Sequence, residues 1–249
     1  MKRLYDEIPE RLSDNYYGKK IMAAFLAYGA EYDFCKFYAC GEGTVHIYNS
    51  SMVIDGKCVP EDVNILIEMT KPHSIEASSE TTLQIPGYYE RRHRTLFHAK
   101  TVDKTESRTG RKNGTTDISY DEISANGSAR ECFEILSESF ENFGSFDSWY
   151  VDISHRIRHG VSGLYLYGKT TVTKCFDIDG FVFVSGIATA ASERGKGSAR
   201  RVLRCLAEKF RTEGKEMFLF ALDHRKTFYE SVGFEPIAED ILYEMKGEF

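Results

Sequence analysis

The sequence predicts an α/β (α+β) protein built from two mixed domains. Three observations carry that expectation. Residues 181–188 (FVFVSGIA) form an apolar run, followed by a short polar glycine-bearing stretch at 192–198 and then by apolar residues at helical spacing, Val202, Leu203, Leu206 and Phe210. Apolar segments separated by Gly and Asp turns recur in both halves of the chain, the pattern of β-hairpins. Residues 102–127 are polar, carry glycines and hold almost no large apolar residue, which reads as a linker. The expected organisation is a mixed α/β domain over 1–100, a polar linker over 101–127 and a second domain over 128–249.

In the first domain, residues 16–29 (YYGKKIMAAFLAYG) predict a helix, with Ser13 or Asp14 near its N-cap and Gly29 at its end. Residues 34–39 read as a strand, Gly41-Glu42-Gly43 as a turn, 44–54 as a second strand and Asp55-Gly56 as another turn. Pro60, Glu61 and Asp62 open a helix that runs through Met69, with proline and acids where the helix start favours them. Lys71-Pro72 stops it. Residues 74–77 suit a short strand, and the basic stretch 88–97 suits a helix or a strand. The aromatics Tyr28, Tyr32, Phe34, Phe37 and Tyr38 either line a substrate pocket or pack as core. Arg91, Arg92, Arg94, Arg108, Arg111 and Lys112 read as a solvated surface.

In the second domain, residues 129–140 carry Cys132, Leu136 and Phe140 at helical spacing, with Ser128 and Glu131 placed for a capping box. Residues 149–158 read as a helix. His155 and His159 stand four apart, but Arg156 follows the first histidine where a zinc HExxH needs Glu, so no metal is expected there. Residues 163–168 and 170–176 read as strands, and Asp177-Ile178-Asp179-Gly180 as the turn into the central strand. Residues 216–221 make a further strand and 227–231 a short helix.

Composition bounds the function. The chain has 249 residues, 42% of them hydrophobic, enough for one large core or two modest ones. The net charge of −6 argues against a nucleic-acid partner. No apolar run is long enough for a membrane helix, and residues 1–14 lack the apolar stretch of a signal peptide. Six cysteines with no CxxC pair read as reduced, largely buried thiols of a cytoplasmic protein.

A strand that runs through a glycine turn into a helix makes an anion site. The first helical turn has free N–H groups, the dipole adds partial positive charge, and glycines let a ligand approach the backbone. The stretch is not a P-loop, because Gly197 follows Lys196 and Ala190 stands where the first glycine belongs. It is not a dinucleotide fingerprint, because the third glycine is missing. The run Arg194-Gly195-Lys196-Gly197-Ser198-Ala199 resembles instead the (Q/R)xxGx(G/A) motif of the GCN5-related N-acetyltransferases. The segment 227–234 (TFYESVGF) resembles that family's FYExxGF segment. The resemblance is strongest over 180–236 and extends back to about 128. The first hundred residues, laid out as helix, hairpin and helix, suggest a degenerate copy of the same fold, without a residue-level repeat.

The resemblance implies the acyl-CoA N-acyltransferase fold in the second half and acetyl-CoA as cosubstrate. It implies that the pyrophosphate sits on Arg194, Gly195, Lys196, Gly197, Ser198 and Ala199, and that the pantetheine arm lies along Ile187, Ala188 and Thr189. The family's thioester lies where the central strand and the next one diverge. Tyr229 stands at the position of the family's general acid. The base is open: the central strand carries no glutamate and residues 222–225 carry no Asn, and Asp223 and His224 are either the base or ordinary turn residues at the end of a strand. The implied activity is acetyl transfer to a primary amine, on a small molecule or a protein, by a monomer or homodimer. The alternative is an acyl-CoA-binding regulatory pseudoenzyme without turnover.

Overall fold

The structure, a computed structural model, describes residues 1–5, 12–81, 83–100 and 118–246. The chain forms two compact units, one of Met1–Arg94 with Glu239–Phe249 and one of Thr95–Ala238.

The first unit contains β1 (Lys2–Leu4), α1 (Tyr16–Tyr28), β2 (Cys35–Cys40), β3 (Gly43–Tyr48), β4 (Ser51–Asp55), α2 (Pro60–Thr70), β5 (Ser74–Ala77) and the start of β6 (Tyr89–Ala99). Its sheet runs β1-β2-β3-β4-β5 and then the chain's last strand, residues 239–245. All neighbouring pairs in that order are antiparallel except β4 and β5, which are parallel. Met52 and Ile54 alternate with Val53, so β4 serves two cores at once. Met52, Ile54, Val63, Ile67 and Ile75 bury one face beneath α2, and Val53 joins Ile21, Phe37 and Cys35 beneath α1.

Two expectations are corrected here. The N-cap of α1 is Asn15, whose Oδ1 accepts from Tyr17 N (2.9 Å) and Gly18 N (3.1 Å), not Ser13 or Asp14. Residues 44–54 are two strands rather than one, because the chain reverses at Asn49, whose φ is +49°. Asn tolerates that left-handed backbone, so a polar Asn-Ser-Ser run hides a hairpin. The stretch 88–97, open between helix and strand, is strand β6.

A buried ionic cluster ties this unit together. Glu76 on β5 accepts from Arg94 of β6 (2.8 Å), Lys20 of α1 (2.5 Å) and the Tyr16 hydroxyl (2.9 Å). Arg94 also pairs with Asp240 of the last strand, which in turn accepts from the Tyr17 hydroxyl. Burial alone would raise the Glu76 pKa, but the Lys20 and Arg94 charges outweigh it and hold the carboxyl down to about 2.

The second unit starts with the end of β6 and then a 3-10 turn at Tyr120–Glu122. It continues with β7 (Ser124–Ala125), α3 (Ala129–Ser139), α4 (Phe146–Arg158), β8 (Gly163–Tyr167), β9 (Thr170–Ile178), β10 (Phe181–Thr189), α5 (Ser198–Thr212), β11 (Glu216–Leu222), α6 (Lys226–Val232) and β12 (Phe234–Met245) as far as Ala238. Its sheet runs β7-β8-β9-β10-β11 and then residues 95–99 of β6. The first pairs are antiparallel, and β10 with β11 is parallel. Val202, Leu203, Leu206 and Phe210 of α5 pack on Val182, Val184, Met217 and Leu219 of the central strands. Leu136 and Ile135 of α3 pack on Leu164 and Ala188 from the other face.

The chain therefore changes unit inside β6 and inside β12, and the boundaries differ from those expected at 100 and 128. A terminal strand that pairs far from its sequence neighbours leaves no composition signal. Of the expected linker, residues 101–117, with Arg108, Arg111 and Lys112, lie outside the described residues. From 118 on, the chain is part of the second unit: Ile123 is buried, and Ile118 and Tyr120 pack on the core. The capping-box expectation at α3 holds on one side only. Ser128 Oγ accepts from Glu131 N (3.2 Å), while the Glu131 carboxylate pairs with Lys169 (2.6 Å). Helix α4 starts at Phe146, capped by Ser145, rather than at 149.

Candidate active site

In the second unit β10 and β11 face each other in register at three positions only: Phe181 with Glu216, Val182 with Met217 and Phe183 with Phe218. Beyond Phe183 the two parallel strands separate, although β10 continues to Thr189 and β11 to Leu222. The C-terminal ends of parallel strands are where α/β sheets accept ligands, and here the separation leaves backbone N–H and C=O groups of both strands without their ladder partners.

Within the opening β10 bulges. Its pairing with β9 slips between Ser185 and Ala188, and Gly186 has a φ of +55°. A Cβ at Gly186 would come 3.0 Å from Thr173 Oγ1 and 3.2 Å from Leu136 Cδ2, so a side chain there crowds both neighbours and strains a left-handed backbone. Ser185, just before the bulge, is exposed. The sequence reading passed over Gly186. A lone glycine inside an apolar strand was the available signal.

The strand leads through a 3-10 turn at Ala191–Glu193 into the glycine loop and α5. Gly195 (φ +79°) and Gly197 (φ +75°) are both left-handed. A Cβ at Gly195 would meet nothing within 4 Å. Gly197 is the N-cap of α5 and offers no capping side chain. The first helical hydrogen bond runs from Arg201 N to Gly197 O (3.1 Å). Among the described residues, the N–H groups of Ser198, Ala199 and Arg200 find no acceptor. Three uncapped donors at a dipole's positive end fit a pyrophosphate.

The side chains around the loop brace it. Arg194 Nε donates to Thr189 O (2.9 Å) and its Nη2 to Ser139 Oγ (3.1 Å), which anchors the loop to the ends of β10 and α3. Ala191 N donates to Glu138 Oε1 (3.2 Å). Lys196 pairs with Glu193 (2.8 Å). Arg200 reaches Ser231 O (2.7 Å) and Oγ (2.9 Å), joining the start of α5 to the end of α6.

Tyr229 lies on α6 with its ring against Phe97, Phe228 and Phe234. Burial pushes its pKa up, and Arg225 opposes that in part. Its hydroxyl makes no hydrogen bond to any described residue, so its proton is free for another acceptor. Asp223 and His224 form the 3-10 turn at the C-terminal end of β11. Both are exposed, and Asp223 pairs with Lys226 (3.0 Å). The His155 and His159 rings lie tilted with centroids 4.2 Å apart at the C-terminal end of α4, and His159 Nδ1 is 2.9 Å from His155 O. Among the described residues no group of three His, Cys, Asp or Glu side chains stands together as metal ligands.

No protein-family model matches the chain, and no curated protein matches its sequence. Solved structures do match. A GCN5-related N-acetyltransferase from Kribbella flavida gives a TM-score of 0.57 at 14% identity, over 93% of this chain and 94% of that one. One from Sphaerobacter thermophilus gives 0.52 at 12% identity, over 99% and 97%. The fold is that of the GCN5-related N-acetyltransferases. The element order expected for that acetyltransferase fold, two helices, three strands, loop, helix, strand and helix, is the order from α3 to α6 of the second unit. At these identities the likeness concerns the fold, and the chemistry must come from the residues themselves.

Proposed function

We propose that the chain is an acetyl-CoA-dependent N-acetyltransferase acting on a primary amine, of a small molecule or a protein. One observation carries the reading: a single strand, β10, runs from the opening beside β11, through a left-handed bulge, into a loop whose uncapped helix N-terminus suits a pyrophosphate. A glycine loop alone would serve many anions. The opening beside it adds an unpaired strand edge, beyond Phe183 as far as Thr189, along which a thioester arm can lie.

Acetyl-CoA supplies an acetyl group activated as a thioester. The N–H groups from Gly195 through Ala199 bind its pyrophosphate, with Gly195 and Gly197 shaping the turn, while Arg194, whose own N–H is held by Ala191 O, braces the loop through its side chain. The backbone of Ile187, Ala188 and Thr189 orients the pantetheine arm along the free edge of β10. A backbone N–H at the Gly186 bulge, left out of the β9 ladder, is placed to hold the carbonyl oxygen as it gains charge. Tyr229 donates its proton to the departing thiolate. Its raised pKa keeps that proton in place at neutral pH. Asp223 or His224, at the end of β11, takes the proton from the incoming amine directly or through water.

Six free cysteines fit a reducing cytoplasm, and among the described residues no helix is long and apolar enough to cross a membrane. The test is release of free CoA from acetyl-CoA across a panel of small amines and lysine peptides. Turnover with any class names the acceptor. Binding of acetyl-CoA without turnover on any amine would contradict the enzyme and leave an acyl-CoA-binding module.

A further inference from the structure

Both units are built to one plan. The first reads strand, helix, three antiparallel strands, helix and parallel strand (β1, α1, β2, β3, β4, α2, β5). The second repeats it with one additional helix (β7, α3, α4, β8, β9, β10, α5, β11). The pairing also repeats: each unit has three antiparallel pairs and then one parallel pair, and each sheet is completed by a strand that begins in the other unit's sequence. On that plan β4 and β5 of the first unit stand where β10 and β11 stand in the second, and the turn at 56–59 stands where the glycine loop stands.

We infer that the chain is an internal duplication in which only the second copy takes acetyl-CoA, because the corresponding cleft of the first copy is stitched shut. The inference rests on the acetyl-CoA reading of the second unit.

Four features of the first unit close it. β4 and β5 stay in register from Ser51–Ser74 to Ile54–Ala77, which is the end of β5 and one residue short of the end of β4. Past that point Ser78 and Thr81 continue the seam. Ser78 N donates to Ile54 O (3.0 Å), Ser78 Oγ accepts from Gly56 N (3.1 Å), and the Thr81 hydroxyl donates to Gly56 O. β4 has no bulge, since its pairing with β3 runs unbroken from Thr44–Asp55 to Tyr48–Ser51. Two of the turn's four backbone donors are spent, Gly56 N on Ser78 Oγ and Cys58 N on Gly56 O (3.1 Å).

The fourth feature is charge. Helix α2 begins with Pro60, which has no N–H, followed by Glu61 and Asp62, and Asp62 already holds the chain's amino terminus at 2.8 Å. Carboxylates at a helix start occupy the positive end that a phosphate would need. The cavity beside this turn, about 280 Å³, is lined by Leu12, Ser13, Glu42, Gly56, Lys57 and Glu80, two carboxylates against one lysine. A pyrophosphate is repelled there, while the second unit presents three free N–H groups at the corresponding place.

Equilibrium dialysis of the full chain against labelled acetyl-CoA counts the sites. One molecule per chain is expected, with none bound by Gly197→Glu. Hydrogen exchange on the unmodified chain gives a readout that needs no variant: acetyl-CoA should protect residues 186–200 and leave 54–62 unchanged. Two molecules per chain, or protection of 54–62, would overturn the inference and leave the acetyltransferase reading standing. One molecule per chain that survives in a folded Gly197→Glu variant would place the site elsewhere and overturn both. No binding at all would also overturn both.

Discussion

Phe183 and Phe218 are the last residues at which β10 and β11 face each other in register. Everything assigned to the cofactor lies beyond that pair: the bulge at Gly186, the strand end at Thr189 and the glycine loop that follows. Phe218 also stacks on Phe181 at 3.9 Å and on His98 at 4.7 Å, so the closed end of the opening is a firm aromatic floor.

Gly186→Ala tests the bulge. An L-residue at a φ of +55° costs about 1–2 kcal/mol, and the added methyl group crowds Thr173 and Leu136. The melt should fall accordingly, and kcat should fall further than KM rises, because the N–H that meets the developing charge moves with the backbone. A variant that folds with wild-type kcat would remove the bulge from the mechanism.

Tyr229→Phe separates chemistry from packing. The ring contacts with Phe97 and Phe234 survive the change, and the hydroxyl has no partner among the described residues to lose. Stability should change by less than about 0.5 kcal/mol, while kcat should drop about 100-fold. The alkaline limb of the pH–rate profile should disappear with the phenol. Undiminished kcat across pH would show that another group protonates the thiolate.

Glu76→Gln tests the ionic cluster of the first unit. The wild-type carboxylate titrates near 2 in the folded chain, below the ordinary 4.5 of the unfolded one. Its contribution is thus complete above about pH 4.5 and is lost as pH falls toward 2. Glutamine removes one of the two carboxylates paired with the buried Arg94, Asp240 being the other, and should cost about 3 kcal/mol at neutral pH. It should also flatten the acid arm of the stability profile, measured by denaturant melts between pH 2 and 7. Equal acid sensitivity in the two proteins would contradict the pairing.

How much of this was legible in the sequence depends on the range of the signal. The strand–loop–helix unit was read from local features: apolar run, paired glycines, then Val202, Leu203, Leu206 and Phe210 at helical spacing. The turn expected at residues 177–180 is equally local, but only Asp179 and Gly180, both left-handed, form it, and β9 runs on through Ile178. What escaped was long-range or unusual. The reversal at Asn49 needs a positive φ that Asn tolerates without glycine's signature. The pairing of residues 239–245 with β5, and of 95–99 with β11, joins segments far apart in sequence, so the boundaries between units left no trace in composition. Gly186 interrupts an apolar strand, but a lone glycine there does not by itself reveal its positive φ. Ser78 and Thr81, which seal the first unit, are small polar residues whose meaning lies in what they touch.

The most direct measurement is a thermal melt of the chain with and without excess acetyl-CoA, repeated on Gly197→Glu. The left-handed φ of +75° means the variant itself will melt lower, so the ligand-induced shift is the quantity compared. Acetyl-CoA at about 100 times its Kd should stabilise the wild type by about 2.7 kcal/mol and leave the variant where it was. A wild type that does not move, or a variant that moves as far as the wild type, would contradict a cofactor site on this loop.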